Sequence, residues 1–425
     1  MPKNGTGLLM SIPGPLHLTT PPLPEPIAAP QPNLIAQMLQ RDQQRLQNPT
    51  GLMNRVVFDC IDPSPMMGNG GGSSLANNQQ QQGGDDSSVQ NASSAAGSHH
   101  IAHVGQCNLP PYYQPLSASD NTLVFESRFE SGNLRRAIQV YEYEYDLILK
   151  FDVNTRGHTQ WFYFSVTNVT KGARYKFNLI NLLKPDSLYN YGMKPLVYSE
   201  MDAKRKGRGW YRDGFDICYY QNNIKRKNGY FYTFTFSMEF QNDHDVYYFA
   251  YCYPYTYSNL QNYLANLEAD PIRRKLFKRR TLCHTLAGNN CDVLTVTSFS
   301  CDPQALKNRK GVVVSARVHP GESNASWMMK GLIDFLTGPQ LDAKILRDNF
   351  VFKIVPMLNP DGVINGNYRV SLSGFDLNRR WNDPSKKLHP TVHHTKQMIR
   401  QFMKEREVIL YCDFHGHSRK KNIFM

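Results

Sequence analysis

Val312-Val313-Val314-Ser315-Ala316-Arg317-Val318-His319-Pro320-Gly321-Glu322 is the stretch on which the fold turns. Its first half is a β-branched apolar run without helical spacing, entered at Gly311 and halted at Pro320, and it reads as a buried strand. Pro320 and Gly321 then turn the chain, leaving an imidazole and a carboxylate three residues apart. From Ser323 to Leu336 the apolar residues recur at helical spacing, and Ser323 or Asn324 is expected to cap the start. A His and a Glu at a strand-to-helix turn suit two legs of a zinc site completed by a second His and water. The same residues equally suit a plain turn whose carboxylate is favoured by the helix dipole.

Strands and helices alternate around this stretch. Leu294 to Thr297, Phe350 to Pro356 and Val408 to Phe414 read as apolar strands, and residues 391 to 406 as a helix. Ser258-Asn259-Leu260-Gln261 reads as a capping box opening a helix that runs to about Asp270. This is α/β order, with buried strands covered by helices on both faces, and function in such sheets sits at the carboxyl ends of strands. Three of those ends are polar: His319 with Glu322, the loop after Met357, and His415.

Upstream, residues 119 to 257 are aromatic and alternate with period two, as in Trp161-Phe162-Tyr163-Phe164 and Tyr230-Phe231-Tyr232-Thr233-Phe234. That pattern predicts an antiparallel β-sandwich domain. Residues 1 to 118 are Pro-rich, then Gly-, Asn-, Gln- and Ser-rich, and predict a disordered leader with one short candidate helix, Leu34 to Gln47, in which Leu34 to Leu39 reads as a fraying helical turn rather than a partner-binding helix. Residues 258 to 425 are the α/β domain.

The formal charge of +13 favours acidic partners. Nucleic acid is disfavoured, because sandwich cores are rich in Tyr and Phe and no RNP-like motif is present. Eight Cys without a C-x-x-C pair, no apolar run long enough to span a bilayer and no secretory leader point to a reduced, cytosolic protein with no membrane partner.

Further motifs lie downstream: Asn359-Pro360-Asp361-Gly362-Val363-Ile364-Asn365-Gly366-Asn367-Tyr368-Arg369, then Asp376-Leu377-Asn378-Arg379, then Asp413-Phe414-His415-Gly416-His417-Ser418. Asn-Pro-Asp-Gly is by itself a turn. An Asn beside an Arg suits a carboxylate clamp, because the guanidinium fork is bidentate. Only one of His415 and His417 is expected to face the site. With His-Pro-Gly-Glu and the Asn-Ala-Ser-Trp that follows it, these motifs resemble in order the signatures of the M14 zinc metallocarboxypeptidases, specifically the cytosolic carboxypeptidase branch. Phe129 to Leu134 and the aromatic sandwich resemble that branch's N-terminal domain.

The resemblance implies an α/β carboxypeptidase-like domain, a mixed sheet with helices on both faces, here incomplete. It implies one Zn2+ held by His319, Glu322 and His415, with Arg369 polarising the scissile carbonyl. Asn378 and Arg379 would grip the substrate's free C-terminal carboxylate. It also implies removal of C-terminal or branched glutamates from acidic tails such as those of tubulin, in the cytosol and at microtubules. The family's general-base Glu lies on a late strand beyond the third zinc ligand, and no Glu follows Glu407. The chain is therefore expected to be a catalytic domain cut short, with little turnover and with Val408 to Phe414 left as a bare edge. A non-catalytic binder of acidic tails is the alternative. An amidohydrolase of the aspartoacylase type, with its similar His, Glu, His site, fits the aromatic upstream domain less well.

Overall fold

A computed structural model of the chain describes residues 32–61, 110–299, 302–420 and 422–425. The alternating aromatic strands build two sheets packed face to face. One has six strands in the order Arg55–Asp59, Leu134–Tyr141, Glu144–Leu149, Arg174–Leu182, Gly229–Glu239 and Phe215–Arg226. The other has five: Val124–Glu126, Tyr163–Thr167, Tyr247–Ala250, Leu196–Ser199 and Tyr211–Arg212. Inward residues interdigitate as an aromatic core, in which Phe177 meets Phe236 at 5.2 Å and Phe249 at 5.3 Å between ring centroids. Between these strands the pairing departs from the antiparallel expectation where Glu144–Leu149 runs parallel to Arg174–Leu182. The chain leaves the first sheet after Leu149, contributes Tyr163–Thr167 to the second, and returns in its original direction.

The reading of residues 1 to 118 as an unstructured leader is corrected for its described parts. Residues 32–47 form a helix and Arg55–Asp59 an edge strand antiparallel to Leu134–Tyr141. Glu144 and Asp146 are buried carboxylates on a sandwich strand, and Arg41 and Arg45 of the helix pair with them. Buried carboxylates need such cations, so the helix is an integral cover and not a fraying turn. Tyr112 and Tyr113 likewise join the sandwich core. The remainder of the leader, residues 1–31 and 62–109, lies outside the described residues.

The α/β sheet is mixed, in the order Phe277–His284, Asn290–Val296, Phe350–Val355, Lys310–Ala316, Val408–Phe414. Lys310–Ala316 is parallel to both neighbours, and the other pairs are antiparallel. The edge strand Phe277–His284 was hidden in the sequence by its run of Lys and Arg. Helices Tyr257–Ala269 and Ser323–Leu336 cover one face, where Leu264, Met329 and Ile333 pack with Val312, Val314 and Ile354. Helix Pro390–Glu405 covers the other, with Phe402 against Val313 and Val351 and with Val392 near Val355. Alternate residues of the central strand thus face opposite helices, which is why it reads as continuously apolar.

Two helix starts differ from expectation. The capping box is Thr256 with Asn259, each side chain bonding the other's backbone N–H, while Gln261 turns to Asp292. The helix after the His-Pro-Gly-Glu turn takes Glu322 as its N-cap residue, without a side-chain cap, because that carboxylate is drawn to two histidines.

Candidate active site

The carboxyl end of Lys310–Ala316 leads into Arg317, a buried residue in the left-handed region at φ 57°. Its guanidinium donates to the carbonyls of Pro320 at 2.7 Å and Tyr255 at 3.0 Å and to Ser326 Oγ at 2.8 Å. These three bonds staple the turn to the start of the following helix and compensate the strained backbone. Gly321 is required because a Cβ there would collide with the Tyr368 ring and sit 2.9 Å from its carbonyl. The turn and the Arg369 loop are thus pressed together.

Within this frame Glu322 receives both histidines. His319 Nδ1 lies 3.0 Å from Oε1, His415 Nδ1 lies 3.0 Å from Oε2, and the Gly416 N–H donates to Oε2 at 2.9 Å. The outer nitrogens are held as well: His319 Nε2 is 3.1 Å from Asp376 Oδ1, and His415 Nε2 is 2.8 Å from Asp413 Oδ2. One ligand atom from each of His319, Glu322 and His415 falls within 4.8 Å of the others. Burial opposes ionisation of Glu322, but the two imidazoles and the Gly416 N–H outweigh it and hold the carboxyl at about 2. Asp413 and Glu322 raise His415 to about 10, and Asp376 with Glu322 raises His319 against the effect of burial. Three carboxylates around two imidazoles thus make a pocket that draws positive charge. A divalent metal fits this donor set: the Nδ1 atoms converge on one carboxylate while the Nε2 atoms are fixed by others, the outer-shell arrangement metal-binding histidines use.

Arg369 joins this network through Asp376, to which its Nε donates at 2.9 Å. The Asn378 N–H donates to the same carboxylate at 2.9 Å, and Asn378 Oδ1 accepts from the Trp381 indole at 3.0 Å. Burial resists ionisation of Asp376, yet His319 and Arg369 hold it well below the carboxylate range. Arg379 is exposed on the short turn Leu377–Arg379 and reaches the Asn378 carbonyl at 3.5 Å. The structure therefore joins His319, Glu322, His415 and Arg369 in one network with Asn378 at its edge. Arg379 stands beside it with its guanidinium toward solvent. His417 turns away and accepts from the N–H groups of Arg419 and Lys420.

Residues 260–422 match the family model described as zinc carboxypeptidase, and residues 125–252 match the cytosolic carboxypeptidase N-terminal domain. The chain belongs to the zinc carboxypeptidase family. Human cytosolic carboxypeptidase 2 is 55% identical over 306 residues, covering 72% of this chain and 34% of that protein. Mouse cytosolic carboxypeptidase 3 is 54% identical over 312 residues, covering 73% and 31%. The chain thus spans about a third of the length of these relatives. In structure it is similar to a metallo-carboxypeptidase from Pseudomonas aeruginosa in complex with (2-guanidinoethylmercapto)succinic acid. The TM-score is 0.53 and the identity 26%, over 69% of this chain and 70% of that one.

This carboxypeptidase frame also contains positions that the sequence reading did not single out. Asp376 and Asp413 lie inside motifs already quoted. Asp413 stands two residues before His415, hence on the same side of a strand, a spacing that could have marked it. Asp152 carried no local signal. It lies in the sandwich, and its carboxylate accepts from the N–H groups of Tyr368 at 2.6 Å, Arg369 at 2.7 Å and Val370 at 2.9 Å. The Asn-Pro-Asp-Gly stretch is architectural, as its turn chemistry suggested, but it starts a helix, Pro360–Asn365, capped by Asn359. Asp361 there accepts from Thr285, Ala287 and Asn289.

Proposed function

We propose that the chain binds one zinc ion through His319, Glu322 and His415 and acts in the removal of C-terminal or branched glutamates from acidic tails such as those of tubulin. The single observation that carries this reading is the convergence of two carboxylate-anchored imidazoles on Glu322 beside Arg369. When bound, the metal would supply Lewis acidity and an activated water. Arg369 stands where its guanidinium can meet a polarised carbonyl, and Asn378 and Arg379 offer donors to a free terminal carboxylate. The curated relatives are cytosolic carboxypeptidases, and no helix among the described residues is long and apolar enough to cross a membrane. The naming of those relatives supports a cytosolic site of action, with microtubules as the place where acidic tails are presented.

Glu322, Asp376 and Asp413, the carboxylates that touch the histidines, are each committed to a histidine, and Asp376 also to Arg369. None is placed to serve as a free general base. That observation favours a second reading for this chain taken alone, in which it grips tails and releases glutamate slowly. Tail recognition is tested by fluorescence anisotropy with the zinc-loaded protein and a Glu-rich peptide bearing a free or an amidated C-terminus. Amidation is expected to weaken binding at least tenfold. Equal affinity for the two peptides would overturn the carboxypeptidase grip. Release of free glutamate by the zinc-loaded protein, abolished by a chelator, separates turnover from binding alone.

A further inference from the structure

Lys184 lies two residues past the end of the sandwich strand Arg174–Leu182, yet its side chain works in the other domain. Tyr219 Oη holds its carbonyl at 2.6 Å. From there the ammonium crosses to donate to Tyr368 Oη at 2.5 Å and Ser418 Oγ at 2.6 Å, and it stands 4.7 Å from the centroid of the Tyr368 ring. It therefore bridges the loop that carries Arg369 and the loop that follows His415.

Its partners are unusual for a half-buried ammonium. Both acceptors are neutral hydroxyls, which use two of its three N–H groups. Among the described residues no carboxylate lies within ion-pairing distance, whereas Arg369 is already satisfied by Asp376. The cations Arg369 and Arg419 lie close enough to repel it, and Glu322, the carboxylate close enough to favour its charge, is already shared by His319 and His415. Burial, reinforced by Arg369, lowers Lys184 to about 8. A desolvated cation held by neutral hydroxyls and lacking an ion-pair partner, beside the site, is costly until an anion arrives.

We infer that Lys184 is a specificity residue supplied by the sandwich domain, receiving a side-chain carboxylate of an acidic tail close to its C-terminus. This rests on the acidic-tail reading above. The free C-terminal carboxylate and the scissile carbonyl have their own donors in Asn378, Arg379 and Arg369, which leaves the ammonium for the side chain. Lys184 also gives the sandwich a direct part in substrate choice.

The test is anisotropy with the zinc-loaded chain and two labelled peptides that both keep a free C-terminus, one ending in three Glu and one in three Gln. Lys184→Met is expected to weaken the Glu peptide at least tenfold, the scale of a lost charge-assisted hydrogen bond, and the Gln peptide less than twofold. Lys184→Arg is expected to keep most of the preference. Thermal unfolding of each variant confirms that it is folded. Equal weakening of both peptides would make Lys184 a structural strap and overturn the inference, as would a Met variant that still prefers Glu. A wild type without preference for Glu over Gln would overturn the acidic-tail reading itself.

Discussion

Replacing Asp152 by Ala removes one carboxylate and strands three main-chain donors, the buried N–H groups of Tyr368 and Val370 and the part-buried N–H of Arg369. A buried donor without a partner costs about 1–3 kcal/mol, so the gross loss is about 3–9 kcal/mol. Against this, Asp152 is only 3% exposed, and burial lifts its pKa to about 6 although the three N–H groups pull the other way. Measured from the ordinary value of 3.8, that rise means the ionised form carries a penalty of about 3 kcal/mol that an Ala variant avoids. With water entering the vacated space, the net loss at pH 7.5 is expected to be about 3 kcal/mol. The pH dependence has a definite sign. Because the folded pKa is the higher one, the group's protonation favours folding fully below about 3.8, and the contribution is lost as pH rises through about 6. Between pH 7.5 and pH 5 the wild type therefore gains about 1.4 kcal/mol from this group and the variant gains nothing. Urea denaturation followed by tryptophan fluorescence at both pH values measures the difference. A wild-type-minus-variant gap under about 1 kcal/mol at pH 7.5, or one that shrinks as pH falls, would refute the account of Asp152 as the clamp joining the domains.

Other perturbations test neighbouring parts of the structure. Asp376→Asn and Asp413→Asn leave the three donor residues in place but loosen the imidazoles, and each is expected to weaken zinc 10- to 100-fold in a chelator competition titration; unchanged affinity would remove the outer carboxylates from the metal's support. Gly321→Ala drives a methyl into Tyr368 and should cost about 1–3 kcal/mol of stability, read as a lower urea midpoint; a neutral result would mean the turn and the Arg369 loop are not pressed together. Arg45→Ala leaves Asp146 buried with its cation removed, a loss of about 3 kcal/mol, and should speed hydrogen exchange in helix residues 32–47; unchanged protection would detach that helix from the sandwich.

The site was legible in the sequence wherever its chemistry is local. His319 and Glu322 share one turn, His415 ends a strand, and the apolar run from Val312 announces a sheet buried on both faces. Arg369 and Asn378 were legible through motif resemblance, because nothing in their own spacing places them next to His319. Asp152 and Lys184 were not legible, since they meet the Arg369 loop across 216 and 184 residues of chain and stand alone among aromatic strand residues. The helix over residues 32–47 was legible as a possible helix from Leu34 to Gln47, but its docking on the sandwich was not. Its Gln-rich composition reads as solvated, and its fixation depends on Glu144 and Asp146, which the sequence shows only as polar residues in an alternating strand. Arg317 illustrates a third cause, because a buried guanidinium answered by two carbonyls and a hydroxyl leaves no charge pattern to detect.

The most direct measurement is the zinc content of the purified protein beside His319→Ala and His415→Ala variants, with monodispersity checked on the same samples. Close to one zinc per chain is expected in the wild type and loss of that zinc in both variants, with all three proteins folded. A folded wild type that takes up no zinc, or variants that retain it, would contradict the assignment of His319, Glu322 and His415 as the metal centre.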